Sequence, residues 1–219
     1  MNVKIGTRHR LAFLLLWTLF VLYPNPLRLV QSVYRVFEPP LDEEAVEHLL
    51  PGVPRDPAEL EAHVLAEYPY RHDWATYRVP WYFPTVGEAL ERGAGDCKTR
   101  FVILASLFEA LEVNYIQTFS VSHFWLTYEG KGETALETAS NAWLVRGEEG
   151  SRLQIPREDT RQIWRIFREA FWDAMPPLRK ALFLLGAPLA VLLHLPLGLL
   201  IRLRGGVPEG RVGETLSAR

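Results

Sequence analysis

Three residues of types that support nucleophilic catalysis follow one another between positions 97 and 137. Cys97 is the only cysteine of the 219-residue chain, and His123 and Glu137 come after it in that order. A thiol becomes an effective nucleophile when a neighbouring base accepts its proton, and a carboxylate can orient that base. The three residues therefore predict a site for thiol chemistry, provided that the fold brings them together.

Cys97 lies at the start of a predicted helix over 97–111. The apolar residues recur at the spacing of one helix face, which comprises Phe101, Leu104, Ala105, Phe108 and Leu111. The first turn of a helix has unpaired N–H groups and the positive end of the helix dipole, which favour a thiolate, and Asp96 can cap that turn. A lone cysteine on a helix is more commonly a small buried hydrophobe, so the catalytic interpretation depends on His123.

His123 and Glu137 lie on predicted strands that follow the helix. His123 begins the segment 123–128, where it shares a sheet face with Trp125, and Glu137 lies in the apolar segment 134–138. A buried carboxylate needs a partner, and an imidazole that it orients would be one. The structural alternatives are a hydrogen-bonded histidine at a strand end and an exposed glutamate on a strand face.

The elements around these residues indicate an α+β fold. One helix followed by an antiparallel meander is typical of that class. Helices are predicted over 41–50, 57–67, 85–91, 97–111 and 157–175, and strands over 113–121, 123–128, 134–138 and 142–145. The last helix either closes the domain or, because Trp164 and Trp172 suit an interface, lies on a membrane surface.

The N-terminal end predicts a membrane anchor. Basic residues at 4, 8 and 10 precede the charge-free run 11–23, which Pro24 and Pro26 interrupt. A spanning helix needs about 20 apolar residues, and this run approaches that length only with its proline-containing extension. An uncleaved anchor is favoured over a signal peptide, because no small-residue cleavage site follows, and over a buried core helix.

The C-terminal end predicts a transmembrane segment. Residues 181–201 carry no formal charge, and basic residues stand on both sides of the run at 179, 180, 202 and 204. Pro188 and Pro196 inside it leave a re-entrant or interfacial hairpin open, and a helix buried in a core is the remaining alternative. The positive-inside rule places both tails in the cytoplasm and the central domain on the extracytoplasmic side, whereas the basic residues at 165, 168, 179 and 180 favour the opposite orientation.

These boundaries divide the chain into four parts. We expect a basic tail and anchor at 1–37, a catalytic domain at 38–175 with its motif core at 85–140, a transmembrane segment at 176–204 and a flexible tail at 205–219. The central part is long enough to bury a core without disulfides or structural metals.

Several other kinds of site are not indicated. The six histidines show no HExxH arrangement, a single cysteine cannot build a zinc knuckle, and Gly-Ala-Gly at 93–95 lacks the preceding strand of a dinucleotide loop. We therefore expect no metal and no cofactor. The balance of 24 basic against 26 acidic residues argues against a nucleic-acid binder.

The motifs resemble those of the transglutaminase-like superfamily, which has a papain-like cysteine site. The segment EALERGAGDCKTRFVILASLFEAL at 88–111 contains a Gly-Asp-Cys triplet before an apolar helix, and Ser-His-Phe-Trp at 122–125 resembles the His-x-Trp strand. Leu-Glu-Thr at 136–138 lies where the family usually has Asp, Pro and Thr, so the acid differs and the proline is missing.

The resemblance implies Cys97 as nucleophile, His123 as base and then acid, and Glu137 as the residue that orients the imidazole. The Cys97 N–H would be an oxyanion donor. The implied reaction is attack on a peptide or carboxamide carbonyl, through a thioester that water or an amine resolves. The implied partners are a protein or peptide substrate and, from the two ends, a lipid membrane.

Three hypotheses from different classes remain open at this point. The first is a membrane-anchored thiol hydrolase or acyltransferase, and the second is an inactive transglutaminase-like module that serves in binding or assembly. The third is a membrane protein in which Cys97 and His123 are only structural, and it predicts that the two side chains lie apart. The first two predict that they lie together, and only the first predicts a reactive thiol.

Overall fold

The computed structural model describes residues 7–147 and 150–192, and the described chain is α+β, as predicted. The helices that precede the sheet are α1 Thr7–Leu22, α2 Leu27–Phe37, α3 Glu43–Val46, α4 Pro57–Glu67, α5 Asp73–Thr76, α6 Val86–Arg92 and α7 Cys97–Ala110. A 3₁₀-helix, Glu47–Gly52, follows α3. Beyond the sheet lie α8 Thr160–Phe167, a π-helical stretch Arg168–Asp173 and α9 Pro177–Leu192.

The sheet consists of four antiparallel strands. Their bounds are β1 Tyr115–Ser120, β2 Phe124–Tyr128, β3 Ala142–Gly147 and β4 Gly150–Leu153. The spatial order is β2-β1-β3-β4, so β3 pairs with β1, and the register between those two strands shifts at Phe119 and Ser120. The hairpin of β1 and β2 brings the end of β1 beside the start of β2, where the chain enters the segment that contains His123.

Helix α7 is the central element of the core. All of its residues from Lys98 to Phe108 except Arg100 are buried, and the helix contacts α3, α4, α6 and β2. Phe101 packs against Phe83, Phe119 and Phe124, with ring centroids 5.3–6.4 Å apart. Burial on every side fixes the helix axis and therefore the position of its first residue, Cys97.

Local capping explains where the helices begin. The predicted helix 57–67 is confirmed as α4, because the Asp56 side chain accepts hydrogen bonds from the N–H groups of Ala58 and Glu59 and Pro57 occupies the first turn. Helix α6 begins with a capping box in which Thr85 and Glu88 bond each other reciprocally. Asp96 caps α7 through the Lys98 N–H at 3.0 Å, as the sequence predicted.

Two strand predictions were wrong. Residues 134–138 form no strand, so Glu137 lies in the loop between β2 and β3, and the four strands are not a simple meander. The apolar run was too short to compete with the polar contacts of this loop, among them the bond from Asn141 Nδ2 to the Leu136 carbonyl at 3.1 Å. Strand β4 was not predicted, and all its residues are exposed.

The two ends contain bent helix pairs. In the described ranges no one helix has the length and hydropathy of a membrane span. Two helix pairs meet those criteria when each pair is taken together: α1 with α2, which are bent by 75° at their junction, and the helical stretch 160–173 with α9, which are bent by 100°. The Pro24 and Pro26 region ends α1, and the chain turns again before Pro177. Residues 193–204 of the predicted C-terminal segment and the tail 205–219 lie outside the described residues.

Candidate active site

Cys97 is the first residue of α7 and is partly exposed. The short segment before it is held against the chain at 69–71, because the Gly95 N–H donates to the Pro69 carbonyl at 3.2 Å and the Arg71 N–H donates to the Gly95 carbonyl at 3.0 Å. This pairing fixes the approach to the helix. The thiol therefore stands at the end of the helix where N–H groups have no intrahelical partners.

His123 directly precedes β2 and is held by the turn that joins β1 to β2. Its N–H donates to Ser120 Oγ at 2.9 Å, and its ring stacks on Trp125 with centroids 5.9 Å apart. The same turn is bound by Glu158, which accepts hydrogen bonds from Ser120 Oγ and the Val121 N–H, each at 2.9 Å, and from Ser122 Oγ. The stacking confirms that His123 and Trp125 share a face.

Glu137 reaches His123 from the loop between β2 and β3. Its Oε1 lies 2.9 Å from His123 Nε2, and its Oε2 lies 3.1 Å from Lys131 Nζ. Lys131 also pairs with Glu61 of α4 at 2.6 Å, so the loop is tied to a helix. Because Nε2 bonds the carboxylate, Nδ1 is the ring nitrogen that remains to face the thiol.

The charges at these three residues support one another. Burial alone would lower the pKa of His123, but its interactions with Cys97 and Glu137 outweigh burial and raise this pKa to about 10. Burial would raise the pKa of Glu137, yet His123 and Lys131 hold it below its usual value. An imidazole that keeps its proton at neutral pH is the partner that a thiolate needs.

The Cys97–His123 contact is looser than the His123–Glu137 bond. The described residues show no hydrogen bond of standard geometry between the sulfur and the ring, although the two groups interact by charge and line one cavity. Catalytic hydrogen bonds are frequently long before substrate binds. The structure thus places Cys97, His123 and Glu137 around one cavity.

A buried ion cluster lies beside Cys97. Lys98 Nζ is 3.0 Å from Asp73 Oδ2 and also pairs with Asp96, and the Lys98 side chain is only 3% exposed. Burial opposes the ammonium charge, but the two carboxylates hold the pKa of Lys98 well above its ordinary value. Burial and repulsion from Asp96 raise the pKa of Asp73 to about 7.

Two cavities meet at Cys97. The front cavity, of about 430 Å³, is lined by residues that include Cys97, His123, Glu137, Trp125, Lys131 and Leu65. The rear cavity, of about 350 Å³, is lined by residues that include Cys97, Asp73, Lys98, Trp81, Ile163 and Phe171. Tyr70, Cys97 and Phe124 line both cavities, so Cys97 lies where the two come together.

Sequence reasoning missed the residues that support the three principal ones. These are Lys131 and Glu61, which hold Glu137, Glu158, which holds the His123 turn, and Asp73, which pairs with Lys98. Lys98 directly follows the cysteine, so its place in the first turn could have drawn attention. The others lie far from their partners in the chain, and no local pattern marks them.

No family model, curated protein or solved structure matches the chain.

Proposed function

We propose that this protein is a membrane-attached, transglutaminase-like cysteine enzyme that cleaves or transfers acyl groups of peptide or carboxamide bonds. The observation that carries the proposal is the linked arrangement of Cys97 at a helix N-terminus, His123 beside it and Glu137 bonded to His123 Nε2 at 2.9 Å. The motif resemblance at 85–140 agrees with the order of these residues.

The arrangement supports a two-step acyl transfer. The Cys97 thiolate attacks the carbonyl carbon, and the C–N bond breaks as the departing amine takes the proton of the His123 imidazolium. Water, or a second amine, then gives a proton to His123 and attacks the thioester, and the C–S bond breaks to return the thiolate. N–H groups of the first turn of α7 would stabilise the oxyanion.

Glu137 is the orienting residue in this proposal. Its carboxylate fixes which nitrogen of His123 carries the bonded proton and stabilises the imidazolium. The glutamate has one methylene more than aspartate, and it reaches the ring from a loop. Lys131 and Glu61 hold that loop in place, which compensates for the missing proline of the family motif.

We also propose that the two bent helix pairs attach the protein to a lipid bilayer, with the central domain on the extracytoplasmic side. Helix α1 exposes Leu11, Leu15, Leu16 and Phe20, and α9 exposes Leu178, Leu184, Val191 and Leu192. Apolar side chains in such number on adjacent helices need a cover that excludes water. A substrate at the bilayer, such as an envelope peptide or protein, fits this placement.

The test is the rate at which iodoacetamide alkylates Cys97 between pH 6 and pH 10, followed by intact-mass spectrometry in detergent. The His123 imidazolium, with a pKa of about 10, is protonated over most of this range and supports the thiolate, whereas an unassisted thiol ionises only around the free value of about 8.5. At pH 6.5 we expect His123→Ala to react about 10-fold or more slowly than wild type, and at pH 9.5 the difference should shrink.

Matched variants define what counts against the proposal. Glu137→Gln should lie between wild type and His123→Ala, whereas His63→Ala should match wild type, because His63 belongs to α4 and not to the site. Identical pH profiles for wild type and His123→Ala would contradict an activated pair. They would leave the inactive binding or assembly module as the better interpretation.

A further inference from the structure

The rear cavity has a polar end and an apolar end. Its polar end contains Asp73, Asp96 and Lys98, and its apolar end is formed by Leu22 at the end of α1 and by Ile163, Ile166, Phe167, Ala170 and Phe171. The front cavity already contains His123 and Glu137, which the proposed reaction uses. The rear cavity is lined by the same cysteine but has no role in that reaction.

The apolar end of this cavity is continuous with the apolar surface of the molecule. Phe167 lines the cavity and is 53% exposed, and Trp164, whose ring stacks on Phe167, is 68% exposed. Leu22, which also lines the cavity, is the last residue of α1, the helix that carries the proposed bilayer contact. The cavity therefore opens where the proposed membrane surface begins, and its other end lies at Cys97.

The polar end contains an unused hydrogen-bond acceptor. Asp73 Oδ2 accepts from the Tyr82 N–H at 2.7 Å and pairs with Lys98, whereas Asp73 Oδ1 is buried and has no hydrogen-bond partner among the described residues. Buried acceptors are nearly always satisfied, so a missing donor points to a bound group. An N–H or O–H at the head of an amphiphile would supply that donor.

We infer that the rear cavity binds the hydrocarbon chain of an acylated substrate, with the carbonyl at the head of the chain next to Cys97. The inference rests on the proposed function and gives it a substrate class, a long-chain amide at the membrane surface. The chain enters between the end of α1 and the α8 region, the amide N–H at its head donates to Asp73 Oδ1, and the substituent on the amide nitrogen extends into the front cavity near His123. The thioester would then be an S-acyl chain in the rear cavity.

Steric variants distinguish the two cavities. Ala170→Trp and the milder Ile166→Phe reduce the space of the rear cavity, and Leu65→Trp reduces that of the front cavity. Arg165→Ala is a control on the same helix, since Arg165 is exposed and does not line the cavity. Circular dichroism and thermal unfolding in detergent show which variants keep the fold.

The test is photo-crosslinking of the full-length protein in nanodiscs with hexadecanamide that carries a diazirine at the chain end. This reagent does not need a reactive thiol. We expect the label in peptides covering 160–175, reduced about fivefold or more by Ala170→Trp and Ile166→Phe, and unchanged by Leu65→Trp and Arg165→Ala. A label lost in Leu65→Trp, or one confined to the outer faces of α1 and α9, overturns the inference.

Failure of this inference and failure of the proposed function give different results. A thiol with the expected pH profile but no label in the rear cavity disproves the acyl-chain site and leaves the thiol chemistry intact. A specific label together with an unreactive thiol disproves the enzyme and supports a lipid-binding cavity. The two measurements use different reagents and the same purified protein.

Discussion

At the level of single residues, the position of His123 depends on a carboxylate that does not touch it. Glu158 binds the turn before His123 through Ser120 Oγ, the Val121 N–H and Ser122 Oγ, and Ser120 Oγ in turn accepts the His123 N–H at 2.9 Å. Three donors on one carboxylate fix the backbone of the turn. Glu158 is thus a positioning residue that acts through Ser120.

Replacing Glu158 by glutamine tests this role. The glutamine side chain has the same size, but its NH₂ group is a donor and cannot accept the hydrogen bonds that the turn donates to Glu158. The turn should therefore loosen, and the imidazole should move away from Cys97. We expect alkylation of Cys97 at pH 6.5 to slow about tenfold, because small displacements of catalytic groups have large effects on rate. At pH 9.5 the rate should equal that of wild type.

The exposed acid Glu169 offers a matched control. Glu169→Gln should leave the rate unchanged at both pH values. A Glu158→Gln protein that slows equally at pH 6.5 and pH 9.5 would show a general structural defect. An unchanged rate at pH 6.5 would show that Glu158 does not position His123.

At the level of elements, the start of α7 depends on close packing at Gly95. A Cβ on Gly95 would lie 2.0 Å from Thr99 Oγ1 and 2.5 Å from Thr99 Cβ, in the first turn of the helix. Thr99 is fully buried and its hydroxyl lies 3.2 Å from the Tyr77 hydroxyl, so it has no room to withdraw. The segment that delivers Cys97 therefore requires glycine.

We expect Gly95→Ala to lower the free energy of unfolding by about 1–3 kcal/mol, the usual range for overpacking a core. The measurement is denaturant unfolding in detergent micelles. Gly87→Ala is the control, because no atom lies within 4 Å of its added Cβ, and alanine in α6 should add up to about 1 kcal/mol. Equal stability of Gly95→Ala and wild type would contradict the packing argument.

At the level of the whole molecule, α1 and α9 pack against each other as a pair from opposite ends of the described chain. Trp17 Nε1 donates to the Leu182 carbonyl at 2.9 Å, and Arg179 Nη1 donates to the Val21 carbonyl at 2.6 Å. Gly186 allows this approach, since a Cβ there would lie 2.5 Å from Trp17 Cδ1. The faces away from the contact are apolar, with Leu15 72% and Leu16 67% exposed.

Charges on that outer face test the bilayer attachment. If α1 lies in a membrane, Leu15→Lys with Leu16→Lys should weaken insertion, because each lysine costs about 2.5–3.5 kcal/mol at the centre of a membrane helix. We expect most of the double variant to leave membranes on alkaline carbonate extraction, while wild type and Glu59→Lys on α4 remain. Wild-type protein in the soluble fraction would contradict the attachment.

The sequence by itself determined the elements that local chemistry controls. Helix α4, the Thr85 start of α6 and the Asp96 cap of α7 follow from side chains within three residues of the N–H groups they bind. Cys97 at the start of α7 and His123 before β2 follow for the same reason. Their pairing was a hypothesis that relied on the order of the motifs.

Only the tertiary structure decided how the site is completed. Glu137 was predicted on a strand, but the loop between β2 and β3 carries it to His123 because Lys131 binds it and Glu61 together. Lys98 is a buried cation only because Asp73 packs beside it, and Glu158 reaches the His123 turn from beyond the sheet. These ion pairs join residues distant in the chain, and local propensity and periodicity do not register such distances.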